Sequence, residues 1–165
     1  MNQAYLCLGG NQGNCIEAFE SAIASLQKGD VRVLKRSSVY LTEAWGMDNA
    51  PDFHNLVIAV NTGLSGQQLM ELLLETEKKL GRERDNSNTY QSRPIDLDIL
   101  FFNSELIHTK ELEVPHPRLH LRKFVLEPLN EIAPDFMHPG LHKTISQLLA
   151  ECPDKSKIKK SAHVF

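Results

Sequence analysis

Cysteine is scarce in this chain of 165 residues: it has three, Cys7, Cys15 and Cys152. None belongs to a Cys-x-x-Cys pair and the number is odd, which argues against a disulfide framework and against a zinc site. Also missing is any apolar run near the roughly 20 residues that span a bilayer. The N-terminus lacks the basic-then-apolar pattern of a signal peptide, so a cytoplasmic chain without a membrane partner is expected. Neither sign of charge dominates. With 18 Lys and Arg against 21 Asp and Glu, the formal net charge of −3 gives no support for wholesale nucleic-acid binding. The chain has no Gly-Lys-Ser/Thr phosphate loop and no Rossmann glycine spacing. Its length suits one domain over residues 1–165, large enough to bury a core without metal or disulfide support.

What is present reads as alternating strands and helices. Residues 4–8 predict a short buried strand, followed by the glycine-rich turn Gly9-Gly10-Asn11-Gln12-Gly13-Asn14. Ile16, Phe19, Ile23 and Leu26 fall at helical spacing, with Gly29 placed to end the helix. Residues 31–40 predict a strand, 42–54 a loop, and 56–60 a central strand. Ser65 can cap a second helix carrying Leu69, Leu72, Leu73, Thr76 and Leu80, closed by Gly81. A polar segment follows over 82–92, then a strand at 95–102, a proline-rich stretch with a short helical pattern, and a last helix over 145–151. Lys155, Lys157, Lys159 and Lys160 crowd an end expected to fray, with residues 153–165 a mobile tail. Strand, helix, strand, strand, helix, strand is the order of an α+β, ferredoxin-like split βαβ fold. It predicts an antiparallel sheet with helices packed on it and small C-terminal additions.

The stretch SRPIDLDILFF, residues 92–102, concentrates the chemistry. As a strand it shows one face of Ile95, Leu97, Ile99 and Phe101 and another bearing Asp96 and Asp98. Carboxylates two residues apart on a strand lie about 6 to 7 Å apart, and at an effective dielectric near 20 they repel by about 2 to 3 kcal/mol. A solvated face with Arg93 as partner would relieve this, and so would a divalent cation. Magnesium usually takes one or two carboxylates plus phosphate and water, so a cation here implies a phosphorylated substrate. Arg82, Arg84 and Arg93 bracket the polar segment, which reads either as a solvated loop or as a lid that closes on a polyanion. The glycine turn LGGNQGN reads as an ordinary tight turn in preference to a phosphate site. His116 and Arg122 lie in VPHPRLHLRKF, and Trp45, Phe53 and Phe124 are aromatics beside loops. Taken singly, each suits a structural role as well as a functional one.

Together these segments are specific. The run LGGNQGN, SSVYLTEAWG, PDFHN, LGRER, RPIDLDILFF, VPHPRLHLRKFVLEPL and EIAP, in this order and spacing, resembles the 6-hydroxymethyl-7,8-dihydropterin pyrophosphokinase family of folate biosynthesis. The likeness covers residues 4 to about 150. It implies transfer of the β,γ-pyrophosphoryl group of ATP to the hydroxymethyl oxygen of a reduced pterin, with release of AMP, by a monomer. Carried over by resemblance, Asp96 and Asp98 match the pair holding two magnesium ions. Thr42, Trp45, Gly46, Phe53, Asn55 and Phe124 match the pterin pocket. Arg82, Arg84, Arg93, His116 and Arg122 match groups around the triphosphate, with Arg82 and Arg93 placed to stabilise charge as the bond breaks, and Glu77 and Ile99 match positions near the nucleotide.

Three departures stand out. Where many members carry Arg-Trp-Gly-Pro before the strand arginine, this chain reads Asn88-Thr89-Tyr90-Gln91-Ser92; Gly10 stands where serine is usual; and Ala44 replaces a proline. Two rival readings are a non-catalytic ferredoxin-like module and a metal-dependent nucleotidyltransferase acting on another acceptor. A non-catalytic module has no need of an arginine-bearing segment and a carboxylate pair together, and the products separate the two enzymes: AMP for pyrophosphoryl transfer, pyrophosphate for nucleotidyl transfer.

Overall fold

The computed structural model describes residues 1–42, 52–81 and 95–161. Strand β1 (Asn2–Gly10) leads into helix α1 (Cys15–Lys28). The Asn14 side chain caps that helix by accepting the Glu17 backbone N–H at 3.1 Å, and Gly29 ends it, as the spacing predicts. Gly9 and Gly10 belong to β1 and not to the expected turn, which is made by residues 11–14 with Gly13 at φ +67°.

The strand expected over 31–40 is two strands, β2 (Val31–Arg36) and β3 (Tyr40–Thr42). Between them Ser37 takes over the ladder with side chain and backbone. Its N–H donates to the Val57 carbonyl and its Oγ accepts the Val57 N–H, each at 2.9 Å. The long strand β4 (Phe53–Thr62) is followed by α2 (Gly66–Lys79), which starts from a reciprocal capping box between Ser65 and Gln68. Next come β5 (Asp96–Phe102) and the small hairpin of β6 (Ile107–His108) and β7 (Glu113–Val114). A 3-10 turn over Leu119–Leu121 precedes α3 (Lys123–Ile132), and α4 (Ile145–Glu151) and β8 (Ile158–Lys160) complete the described elements.

The architecture is α+β. One six-stranded sheet runs β5-β1-β4-β3-β8, with β2 pairing β4 beside β3, and the pairings are antiparallel. Alternate side chains of each strand go to opposite faces. On the first face Leu6, Leu8, Leu56, Ile58, Leu97 and Ile99 pack with Phe19, Ile23 and Leu26 of α1 and Leu69 and Leu73 of α2. The second face joins Tyr5, Cys7, Val57, Ala59 and Leu100 to Val125, Leu126 and Leu129 of α3 and to Ile145 and Leu148 of α4. Each fully buried large side chain contributes about 1.5 to 3 kcal/mol. A register shift beside Tyr5 and Leu6 lets Leu100 and Phe101 both enter the second core.

The end expected to fray is laid onto the sheet as far as residue 160. Ile158, Lys159 and Lys160 pair with Thr42, Leu41 and Tyr40, and the Ser161 N–H reaches the Val39 carbonyl at 2.7 Å. A lysine-rich composition hid this, because an edge strand needs backbone partners more than apolar side chains. Among the described residues no helix is long and apolar enough to cross a membrane.

Candidate active site

The second face stays apolar only where α3 and α4 cover it. Toward the Gly9, Asn55, Asp96 and Thr42 ends of the strands, β1, β4, β5 and β3 carry polar groups on the same face. Register places them side by side: Asp98 lies opposite Cys7, Asp96 opposite Gly9, Gly9 opposite Asn55, and Asn55 opposite Tyr40. Thr42 lies opposite Phe53 one pleat further on. Asp96 and Asp98 are half-buried, whereas Asn55 and Thr42 are buried.

Gly9 is what allows Asn55 to lie there. A Cβ on Gly9 would come within 2.5 Å of the Asn55 Oδ1, so the amide occupies space that any other residue would fill. This explains one glycine of the LGG motif without recourse to phosphate. Among the described residues the Thr42 hydroxyl is buried with no hydrogen-bond partner, a polar atom whose desolvation goes uncompensated unless a ligand reaches it.

The carboxylates act on their neighbours across this face. Burial, reinforced by Asp98 and Asp96, holds the Cys7 thiol well above its ordinary range. It therefore stays protonated at neutral pH. His116 is held below its ordinary value by burial and by the charge of Arg122, with Asp96 acting in the opposite sense. Its Nδ1 accepts the Arg118 backbone N–H at 3.3 Å, which puts the proton of the neutral ring on Nε2 as a donor. The ring is positioned through its own backbone, since the His116 N–H donates to the Leu100 carbonyl at 3.0 Å. The Arg122 guanidinium lies 5.6 Å from the centroid of the Phe124 ring, a cation–π spacing that orders both at the start of α3.

Glu77 and Ile99 are placed differently. Glu77 is only 2% exposed, and its Oε1 accepts the Leu97 N–H at 2.8 Å, between the two aspartates in sequence. Ile99 turns its side chain into the first core, so what it offers a ligand is backbone on the outer margin of β5. Arg82, Arg84, Arg93, Trp45 and Gly46 lie outside the described residues.

A family model for 7,8-dihydro-6-hydroxymethylpterin-pyrophosphokinase (HPPK) matches residues 5–134. This chain belongs to that family. It is similar to the 2-amino-4-hydroxy-6-hydroxymethyldihydropteridine pyrophosphokinase of Aquifex aeolicus, at 38% identity over 151 residues and 92% of each chain. The enzyme of the same name from Bacillus subtilis is 42% identical over 132 residues, 79% of this chain and 78% of the relative. A crystal structure of Plasmodium falciparum HPPK-DHPS with pteroate superposes with a TM-score of 0.75 over 91% of this chain. At 17% identity that likeness concerns the fold, and the chain spans 44% of the solved one.

Within the HPPK match the structure sets Asp96 and Asp98 on the sheet face that also carries Asn55, Thr42 and Phe53, and brings His116 and Arg122 within electrostatic reach of Asp96, with Phe124 beside Arg122. Sequence reasoning missed Gly9 as the room for Asn55 and Cys7 as the neutral group opposite Asp98. For Gly9 the signal was in LGG; for Cys7 only the strand register reveals it.

Proposed function

We propose that the chain transfers the pyrophosphoryl group of ATP to the hydroxymethyl group of 6-hydroxymethyl-7,8-dihydropterin, releasing AMP, in folate biosynthesis. The observation that carries this is the convergence on one sheet face of a carboxylate pair, a histidine–arginine pair and an aromatic, amide and hydroxyl group, in a member of the HPPK family.

The bicyclic pterin fits between the Phe53 and Phe124 rings, with the Asn55 amide and the Thr42 hydroxyl meeting its polar edge. By the family resemblance Trp45 and Gly46 also serve the pterin. The triphosphate lies toward β5, where the His116 Nε2–H and the Arg122 guanidinium donate to it, joined by Arg82, Arg84 and Arg93. Ile99 supplies backbone to the nucleotide, and Glu77 fixes the strand that presents Ile99.

The donor set suits magnesium, a hard cation that takes one or two carboxylates together with phosphate and water: Asp96 and Asp98 are half-buried carboxylates two residues apart on the same strand face. Asp96 and Asp98 would hold the metal, two ions being expected from the family resemblance. When bound, it neutralises phosphate charge and polarises the phosphorus under attack. Arg82 and Arg93 stabilise charge as the bond breaks. The departing proton is assigned to no side chain.

The fold reading that goes with this is the ferredoxin-like split βαβ, with β1, α1, β2, β4, α2 and β5 as its strand and helix sequence and β3, α3, α4 and β8 as additions. We take residues 1–165 as one catalytic domain acting as a cytoplasmic monomer on small molecules, without nucleic acid or membrane. Incubation with ATP, magnesium and the reduced pterin should yield AMP and a diphosphorylated pterin. Release of pyrophosphate, or no turnover, would overturn the assignment.

A further inference from the structure

Helix α3 begins at the pterin-side wall, yet it has no side-chain cap of its own. Its N-cap residue is Arg122, which makes no capping hydrogen bond. The cap comes instead from 31 residues downstream, where the Asp154 Oδ2 accepts the Lys123 N–H at 3.0 Å. Lys123 stands between Arg122 and Phe124, both at the site. Asp154 is itself oriented, because its Oδ1 accepts the Ser156 N–H at 2.8 Å and the Ser156 hydroxyl as well. Those bonds and the nearby Lys123 hold its carboxyl below the ordinary value although burial opposes them, so it is ionised at neutral pH. A carboxylate at this end also suits the helix dipole.

The same segment then reaches the opposite wall. After Ser156 the chain forms β8, which places Ile158 opposite Thr42 and Lys160 opposite Tyr40. The Tyr40 hydroxyl donates to the Glu131 Oε2 at 2.8 Å, with the Ser38 N–H at 2.9 Å on the same oxygen, while the Ser38 hydroxyl donates to Oε1 at 2.7 Å. Lys160 Nζ lies 3.7 Å from Oε1. Glu131 is on α3, so a closed circuit links α3, β3 and β8.

We propose that residues 154–160 are a clasp that sets the spacing of the pterin slot, with Asp154 as a positioning residue acting through Phe124. This rests on the pterin reading of the site and goes beyond it, since the family match ends at residue 134.

The test is direct binding of 6-hydroxymethyl-7,8-dihydropterin, by calorimetry, to the full chain and three variants. Asp154→Ala should weaken binding about five-fold, the scale of a lost N-cap. Asp154→Asn, which retains a capping oxygen, should restore most of it. Thr144→Ala removes the comparable cap of α4, where Thr144 accepts the Gln147 N–H at 3.2 Å. It should lower the melting temperature similarly and leave pterin affinity unchanged. Parental affinity in Asp154→Ala, or equal weakening by Thr144→Ala, would overturn the clasp while leaving the function intact. A parent chain that binds no pterin, either alone or with magnesium and a nonhydrolysable ATP analogue, would overturn both.

Discussion

Under α1 and α2 the sheet face is one continuous apolar core through the middle of the strands, made by Ala4, Leu6 and Leu8 of β1, Leu56, Ile58 and Val60 of β4, and Leu97 and Ile99 of β5, whereas the face under α3 and α4 is apolar for part of that length and polar for the rest. The same strands supply both, through alternate residues, so intrinsic strand preference cannot be the cause. Helix coverage can. Where the apolar side chains of α3 and α4 stop, Asp96, Asp98 and Asn55 stand on the second face in place of the leucines, isoleucines and valines of the first. A site of this kind is an interrupted core, and its rigidity comes from the uninterrupted face behind it.

The largest way to sharpen the comparison is to neutralise the polar face. Asp96→Asn or Asp98→Asn should reduce turnover by several orders of magnitude, each group being worth about 3 kcal/mol or more in electrostatic stabilisation. The fold itself should persist, since both side chains are only half-buried and neither belongs to the apolar cores. AMP release and thermal denaturation measure the two effects. If both variants kept parental rates, the carboxylates would be surface charges.

Cutting into the other face should do the reverse. Leu73→Ala leaves a cavity in the first core and should destabilise the fold by about 3 kcal/mol in urea titration, with turnover of the folded fraction preserved. Loss of turnover in folded protein would show that the faces are coupled. Gly9→Ala is intermediate. Its Cβ would displace the Asn55 amide, a strain of about 1 to 3 kcal/mol that should emerge chiefly as a raised KM for the pterin.

The smallest expected effect concerns pH. Burial is the leading cause that lowers His54, His116 and His138 from the ordinary value of 6.5. The unfolded chain therefore binds protons first as pH falls, so stability present above about 6.5 should be lost as the pH drops through the depressed values. Melting temperatures across that window measure it, and a flat profile would contradict the burial.

Much of this was legible beforehand, and for stated reasons. Helices α1 and α2 carried regular apolar spacing, with Ser65 legible as the cap of α2, and SRPIDLDILFF announced by alternation that its aspartates share a face, whereas the Asn14 and Thr144 caps emerge only from the structure. The split of β2 from β3 was not visible, because Ser37 imitates a strand residue with its side chain. Asp154 gave no local signal, since its partner is 31 residues away. The roles assigned to Arg82, Arg84, Arg93, Trp45 and Gly46 come from the family resemblance, as those residues lie outside the described ones.

The placement of Glu77 has a bearing on solubility. Strand β5 is outermost in the sheet, and an exposed margin is where a second chain can add itself by backbone pairing. Glu77 already occupies the Leu97 donor, and His116 already occupies the Leu100 acceptor. At the far margin β8 presents Lys159 and Lys160 to an incoming strand. The contacts that steady the aspartate-bearing strand thus also discourage the protein from polymerising through its own sheet.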